Sequence, residues 1–132
     1  MQTHLKWLLA TPLAAMLTAC ATSAGAPPTV EELLAERDLR IAESVDRIFD
    51  YRISGWNYLD RQHLILLDGV NRKYLVTLVR QCDGLQSNEV IAHTSTINTL
   101  TTFDRFLVRD FGHIVDHCYI ESLHRLEEIE TA

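Results

Sequence analysis

Lys73-Tyr74-Leu75-Val76-Thr77-Leu78-Val79-Arg80 is the stretch whose reading decides the fold. Tyr74, Val76 and Leu78 form one alternating set, and Leu75, Thr77 and Val79 form the other. A strand covered on one side alternates apolar with polar, whereas a strand apolar on both sets is buried on both faces. This strand therefore belongs in the middle of a sheet. Asp68-Gly69 ahead of it marks a turn, and Asp83-Gly84 leads the chain out of it.

Working outward, the chain after Phe49 consists of short β-rich runs broken by turn residues at spacings of roughly 8 to 15, the signature of an antiparallel sheet or small barrel. Strands are expected over 50–58, 62–67, 73–80, 89–97, 102–109 and 114–121, about six in all, within a β domain spanning 50–132. In the last of them Ile114, Cys118 and Ile120 share one face, which points Cys118 inward, toward Cys82. Leu123, Leu126 and Ile129 predict a short closing helix.

On the other side, Thr29-Val30-Glu31-Glu32 reads as a capping box, with Thr29 as the N-cap and Glu32 three residues on. Val30, Leu33, Leu34, Ile41, Val45, Ile48 and Phe49 follow mostly in steps of three, four or seven. That period predicts an amphipathic helix over 30–47 within a segment 29–49, with Glu31, Glu36, Asp38, Arg40, Glu43 and Arg47 on its polar face. Such a helix packs on its own domain or, since the seam is thin around 36–38, stands free to dimerise or dock a partner. The expected fold class is α+β: an N-terminal amphipathic helix, then a small antiparallel sheet or barrel, then a short C-terminal helix.

The 132 residues carry 12 Lys and Arg against 18 Asp and Glu, a net charge of −6. A chain of that sign lacks the clustered cations that hold phosphate backbones, so nucleic acid is not an expected partner. No apolar stretch approaches the ~20 residues of a spanning helix.

Residues 1–19 begin with a lysine-bearing end, continue as an uncharged apolar run over 7–17 and close on a small residue, Ala19, before Cys20. This is the three-part layout of a secretory signal. Leu17-Thr18-Ala19-Cys20 resembles the lipobox of bacterial lipoprotein precursors. By that resemblance Cys20 becomes the first mature residue and is acylated with palmitate-like chains, two or three of which anchor durably where one does not. An ordinary signal peptide cut nearby, with Thr22-Ser23-Ala24 as its exit, is the alternative. Residues 20–28 are small residues, glycine and prolines, a linker that reaches at most ~25 Å and keeps the domain near the membrane. Ala21 is not the aspartate that in enteric bacteria retains lipoproteins at the inner membrane, so the resemblance places the anchor in the outer membrane, with the domain in the periplasm. With Cys20 acylated, Cys82 and Cys118 remain in an oxidising compartment and most simply form one disulfide.

From Ile53 onward the chain also resembles a group of small, uncharacterised lipoproteins of proteobacteria. Ile53-Ser54-Gly55-Trp56, Tyr74-Leu75-Val76-Thr77-Leu78, Cys82-Asp83-Gly84-Leu85, Phe103-Asp104-Arg105 and Cys118-Tyr119-Ile120 carry the resemblance. It implies a compact disulfide-bearing β domain and brings no activity with it.

His113, Asp116, His117, Cys118, Glu121 and His124 are the one cluster of metal-ligand residue types. On a helix His113 and His117 would share a face as zinc ligands do; on a strand they lie ~13 Å apart. The β-branched and aromatic residues around them favour the strand, and a bridged Cys118 is no ligand, so no metal cofactor is expected. Ser54, Ser87, Ser95 and Ser122 sit outside any nucleophile context. Asp110-Phe111-Gly112 spells the metal-binding triplet of protein kinases, but a chain of this length has no room for the other kinase parts. Arg52, Arg61, Arg72, Lys73, Arg80, Arg105 and Arg109 accompany Trp56, Tyr58, Tyr74 and Phe106 through the strand region, the composition of protein-binding hot spots and equally of protected strand edges. The expected function is therefore a non-catalytic envelope lipoprotein, a structural or protein-binding module without cofactor. Two alternatives stand beside it. One is a lipid-tethered inhibitor or binder of a periplasmic enzyme, by analogy of size and location with small β lipoproteins that inhibit lysozyme. The other is a metal-binding or hydrolytic enzyme.

Overall fold

The computed structural model describes residues 25–49, 53–86, 91–94 and 98–130. The lipobox, its Cys20, the alternative exit at residues 22–24 and much of the predicted strand 89–97 lie outside the described residues.

Thr29 caps the only helix among the described residues, α1 (Val30–Ala35). The Glu32 amide donates to Thr29 Oγ1 at 3.2 Å, and the Thr29 amide donates to Glu32 Oε2 at 2.9 Å, so the capping box forms as expected. The helix stops far short of residue 47. Glu36 is its C-cap, and Asp38 turns the chain with a left-handed φ of 56°. The residues that follow are strands: β1 (Leu39–Val45) and β2 (Arg47–Phe49). Ile41 and Val45 are four apart, a spacing that fits one helical turn and also two full strand repeats. β-branched Ile41, Val45 and Ile48 tip the balance to strand once a partner edge supplies hydrogen bonds. Leu34 is the buried anchor of α1, and Arg37 ties the end of the helix to the Tyr58 carbonyl at 3.3 Å. The free helix that would dimerise is thereby replaced by one short docked turn-and-a-half.

The remaining strands are β3 (Ile53–Asp60), β4 (His63–Asp68), β5 (Arg72–Leu78), β6 (Ile91–His93), β7 (Thr99–Thr101), β8 (Arg105–Asp110) and β9 (His113–Glu128). They make an antiparallel sheet in the order β3-β4-β5-β9-β8-β6, with β1 also paired to β9. The predicted closing helix is the second half of β9. Leu123 faces one core and Leu126 the other, because this half of β9 runs between β5 and β1 and is covered on both sides. Apolar residues three apart thus mark a two-faced strand here, not a helical stripe. The architecture of the described residues is antiparallel β with one short helix, which corrects the α+β expectation.

Two apolar layers flank the sheet. On one face Leu34 of α1 packs with Leu39, Leu59, Ile65, Leu75 and Leu126. On the other, Leu64, Leu66, Tyr74, Val76, Leu78, Phe106, Val108 and Leu123 meet Ile48 and Leu100. Ile48 and Leu100 come from β2 and β7, a separate two-stranded ribbon in which they pair directly. β5 sends Tyr74, Val76 and Leu78 into one layer and Leu75 into the other, so the expected two-sided burial holds over 74–78, whereas Val79, expected on the second buried set, lies past the end of the strand and is exposed. Each fully buried leucine contributes about 1.5–3 kcal/mol of transfer free energy. None of the described helices is long and apolar enough to cross a membrane.

Candidate functional site

Three features lie at one end of the sheet, where β5 leaves the core. The first is a bridged and charged corner. Cys82 and Cys118 are joined, with Cα atoms 5.7 Å apart and both residues buried. Beside the bridge Asp116, on the same face of β9 as Cys118, keeps only 10% of its side chain exposed. Arg80 donates to both its oxygens, at 2.7 and 3.3 Å, and the backbone amides of Asp83 and His117 donate to it at 2.8 Å each. The Arg80 guanidinium holds the Asp116 carboxyl below the usual carboxylate range; burial opposes this, and the two amides reinforce it. Asp83 in turn accepts from Arg61 at 3.0 Å. Arg80 also donates to the carbonyls of Gln81 and His117. The corner thus locks the loop after β5 onto the root of β9.

The second is an open groove of about 340 Å³ in which Pro27 and Pro28 approach Tyr58, Arg61, His63 and Gln81. At its floor the Asp60 carboxylate lies 2.8 and 2.9 Å from His63 Nδ1 and accepts from the Gln62 amide at 2.7 Å. The carboxylate fixes the orientation of the imidazole ring, and none of the described residues lining the groove is a serine, threonine or cysteine.

The third is the β8–β9 hairpin. Asp110 pairs with His113 across Phe111 and Gly112, whose φ values are 48° and 82°. Two positive φ angles in a two-residue turn are the pattern that asparagine, aspartate and glycine favour, and a phenylalanine there is an outlier. Its side chain is 98% exposed. A register shift between Val108 and Arg109 gives β9 an extra residue, so Ile114 and Val115, both about half exposed, crowd the same stretch.

Residues 2–132 match DUF6491, described as a family of unknown function. The chain belongs to that family. No curated protein and no solved structure matches it.

In this DUF6491 chain the residues singled out by sequence fall as follows. Cys82 and Cys118 meet in a disulfide, which removes both sulfurs as metal ligands although Asp116 lies beside them. His113 and His117 are exposed and four residues apart on strand β9, a separation of ~13 Å that one ion does not span. Ser54 Oγ lies 3.1 and 3.0 Å from the carbonyls of Leu67 and Gly69, tying an edge strand down. Asp110-Phe111-Gly112 is a hairpin turn. Arg105 lies over the exposed Tyr119 ring at 5.7 Å. Sequence reasoning passed over the Asp60–His63 pair, whose only signal is a carboxylate and an imidazole separated by two residues at the β3–β4 turn. It also missed the Arg80–Asp116 pair, whose members lie 36 residues apart and meet only through the sheet.

Proposed function

We propose that this protein is a non-catalytic lipoprotein of the bacterial envelope, acylated on Cys20 and anchored in the outer membrane, with its β domain in the periplasm as a structural or protein-binding module. The observation that carries this is the Cys82–Cys118 bridge. It accounts for two of the three cysteines, and the third, Cys20, is the residue the lipobox marks for acylation. A buried disulfide also suits an oxidising compartment. Two of the polar side chains serve the scaffold: Asp116 accepts from Arg80 and two amides, and the Ser54 hydroxyl lies within hydrogen-bond distance of two carbonyls. The test is metabolic labelling with a palmitate analogue. Wild type takes up label and partitions with membranes, while Cys20→Ala takes up none and appears in a soluble fraction. Equal labelling of the two overturns the proposal.

A second role, as a tethered binder of a periplasmic enzyme, is supported by the exposed Val79, just past the end of β5, and Tyr119 beside it on β9, with Arg105 over the tyrosine ring. A stoichiometric soluble partner recovered with the acylated protein, and lost with Tyr119→Ala, favours this role over a purely structural one.

A further inference from the structure

Resting on the lipid anchor just proposed, we infer that the tip of the β8–β9 hairpin is a second membrane contact, with Phe111, Ile114 and Val115 seated in the interfacial region of the bilayer that holds the acyl chains.

The tether and the tip leave the molecule at the same end. Pro27 and Pro28 border the groove with Arg61 and Gln81, and Arg80, next to Gln81, pairs with Asp116. From Asp116, β9 runs back past the bulge at Val115 to the turn at Phe111 and Gly112. Pro27 lies seven positions after Cys20 in the sequence, a reach of at most ~25 Å, and the tip stands roughly 15 Å beyond Asp116. An anchor at Cys20 therefore holds this end of the sheet against the lipid.

The tip has the chemistry that position requires. Burial ends at Val108 on β8 and at Cys118 on β9, so residues 109–115 project past the core. Arg109 and Asp110 cancel in charge, so within a chain of −6 the tip is a neutral apolar point that anionic head groups do not repel. Phe111 supplies the largest apolar surface at the outermost place, and Arg109 lies within reach of lipid phosphates. The Asp110–His113 pairing closes the ladder, so the turn enters the interface with few unpaired backbone groups. A phenylalanine kept in left-handed backbone and fully exposed stabilises nothing within the fold, the mark of a residue retained for an outside contact.

Val70 is the internal control. It is 94% exposed in the β4–β5 turn, at the opposite end of the sheet, beyond the Lys73–Leu126 pair. The full acylated chain is placed in vesicles of phosphatidylethanolamine and phosphatidylglycerol, some carrying acyl chains brominated near the head group. F111W and V70W are compared, with Trp56 as the background common to both. The expected result is a blue-shifted emission and a roughly twofold loss of the added signal for F111W, with no loss for V70W. Unquenched F111W on a protein that is labelled and vesicle-bound overturns this inference and leaves the anchor standing. Equal quenching of both variants overturns it as well, since the domain then has no fixed orientation. Absence of both acyl label and vesicle binding overturns the anchor and the inference together.

Discussion

The β4–β5 and β8–β9 hairpins close opposite ends of one sheet with short turns, and they end in opposite ways. In β4–β5 burial reaches the last rung on the β4 side: Asp68 is 1% exposed and faces Arg72, itself exposed, at 2.9 Å. In β8–β9 burial stops at Val108 and Cys118, and the residues beyond them are exposed whatever their hydrophobicity. Strand propensity does not separate the two, since Ile114 and Val115 are as apolar as Leu66 and Leu67. The difference lies in the covering layers. α1 and the β2–β7 ribbon lie over the middle of the sheet, and none of the described elements extends to the far tip. A hairpin that outruns its cover is available for something other than stability.

The largest expected effect comes from cutting the projecting hairpin loose at its root. The double change Cys82→Ala and Cys118→Ala removes a constraint spanning 36 residues. It costs roughly 2–5 kcal/mol in denaturant unfolding. Amide exchange is expected to rise first along Arg105–Asp110 and later along His63–Asp68. Two titratable thiols in the denatured, unreduced wild type would remove the basis of this expectation.

Next is the charge beside the bridge. Asp116→Asn loses the Arg80 pair and weakens two amide bonds, at a cost of about 1–3 kcal/mol. The folded state lowers the Asp116 pKa, so it binds that proton less readily than the unfolded chain does. The stabilisation is therefore full above the ordinary carboxylate value of about 3.9, and it is lost as pH falls through the lower folded value. Melting temperature against pH should fall steeply at its acid end in wild type and more gently in Asp116→Asn. Parallel acid limbs would show that the corner does not carry this linkage.

The smallest effect has the opposite sign and sharpens the contrast most. Phe111→Asn puts at the turn a residue that accepts left-handed backbone, so stability should rise by up to about 1 kcal/mol. Val70→Asn at the other hairpin should leave stability unchanged. A loss of stability in Phe111→Asn would mean that the exposed ring packs on the fold after all.

How much of this was legible in the chain depended on the range of the interactions. The Thr29–Glu32 capping box, the turn at Gly69 and the two-sided burial of β5 are local patterns, and each appears in the structure where the sequence puts it. Residues 39–49 read as helix because apolar steps of four serve helix and strand alike, and the edges that convert the segment to strand are distant: β9 lies more than 70 positions from β1, and β7 lies 50 to 54 positions from β2. The same ambiguity holds at the end of the chain, where the three-residue step from Leu123 to Leu126 fits a helical stripe, yet the two side chains face different cores.

By itself, then, the sequence determined the β-rich character of the chain after residue 50 and the central place of β5, because composition and period are properties of the chain alone; it led to the Cys82–Cys118 pairing only with Cys20 set aside as acylated. Only the tertiary structure decided that the long helix is a turn-and-a-half docked by Leu34, that Arg80 and Asp116 meet beside the bridge, and that Phe111 stands clear of every covering layer. Those outcomes depend on which strand edges find one another and on how far the flanking layers extend. Neither is written in any local stretch of residues.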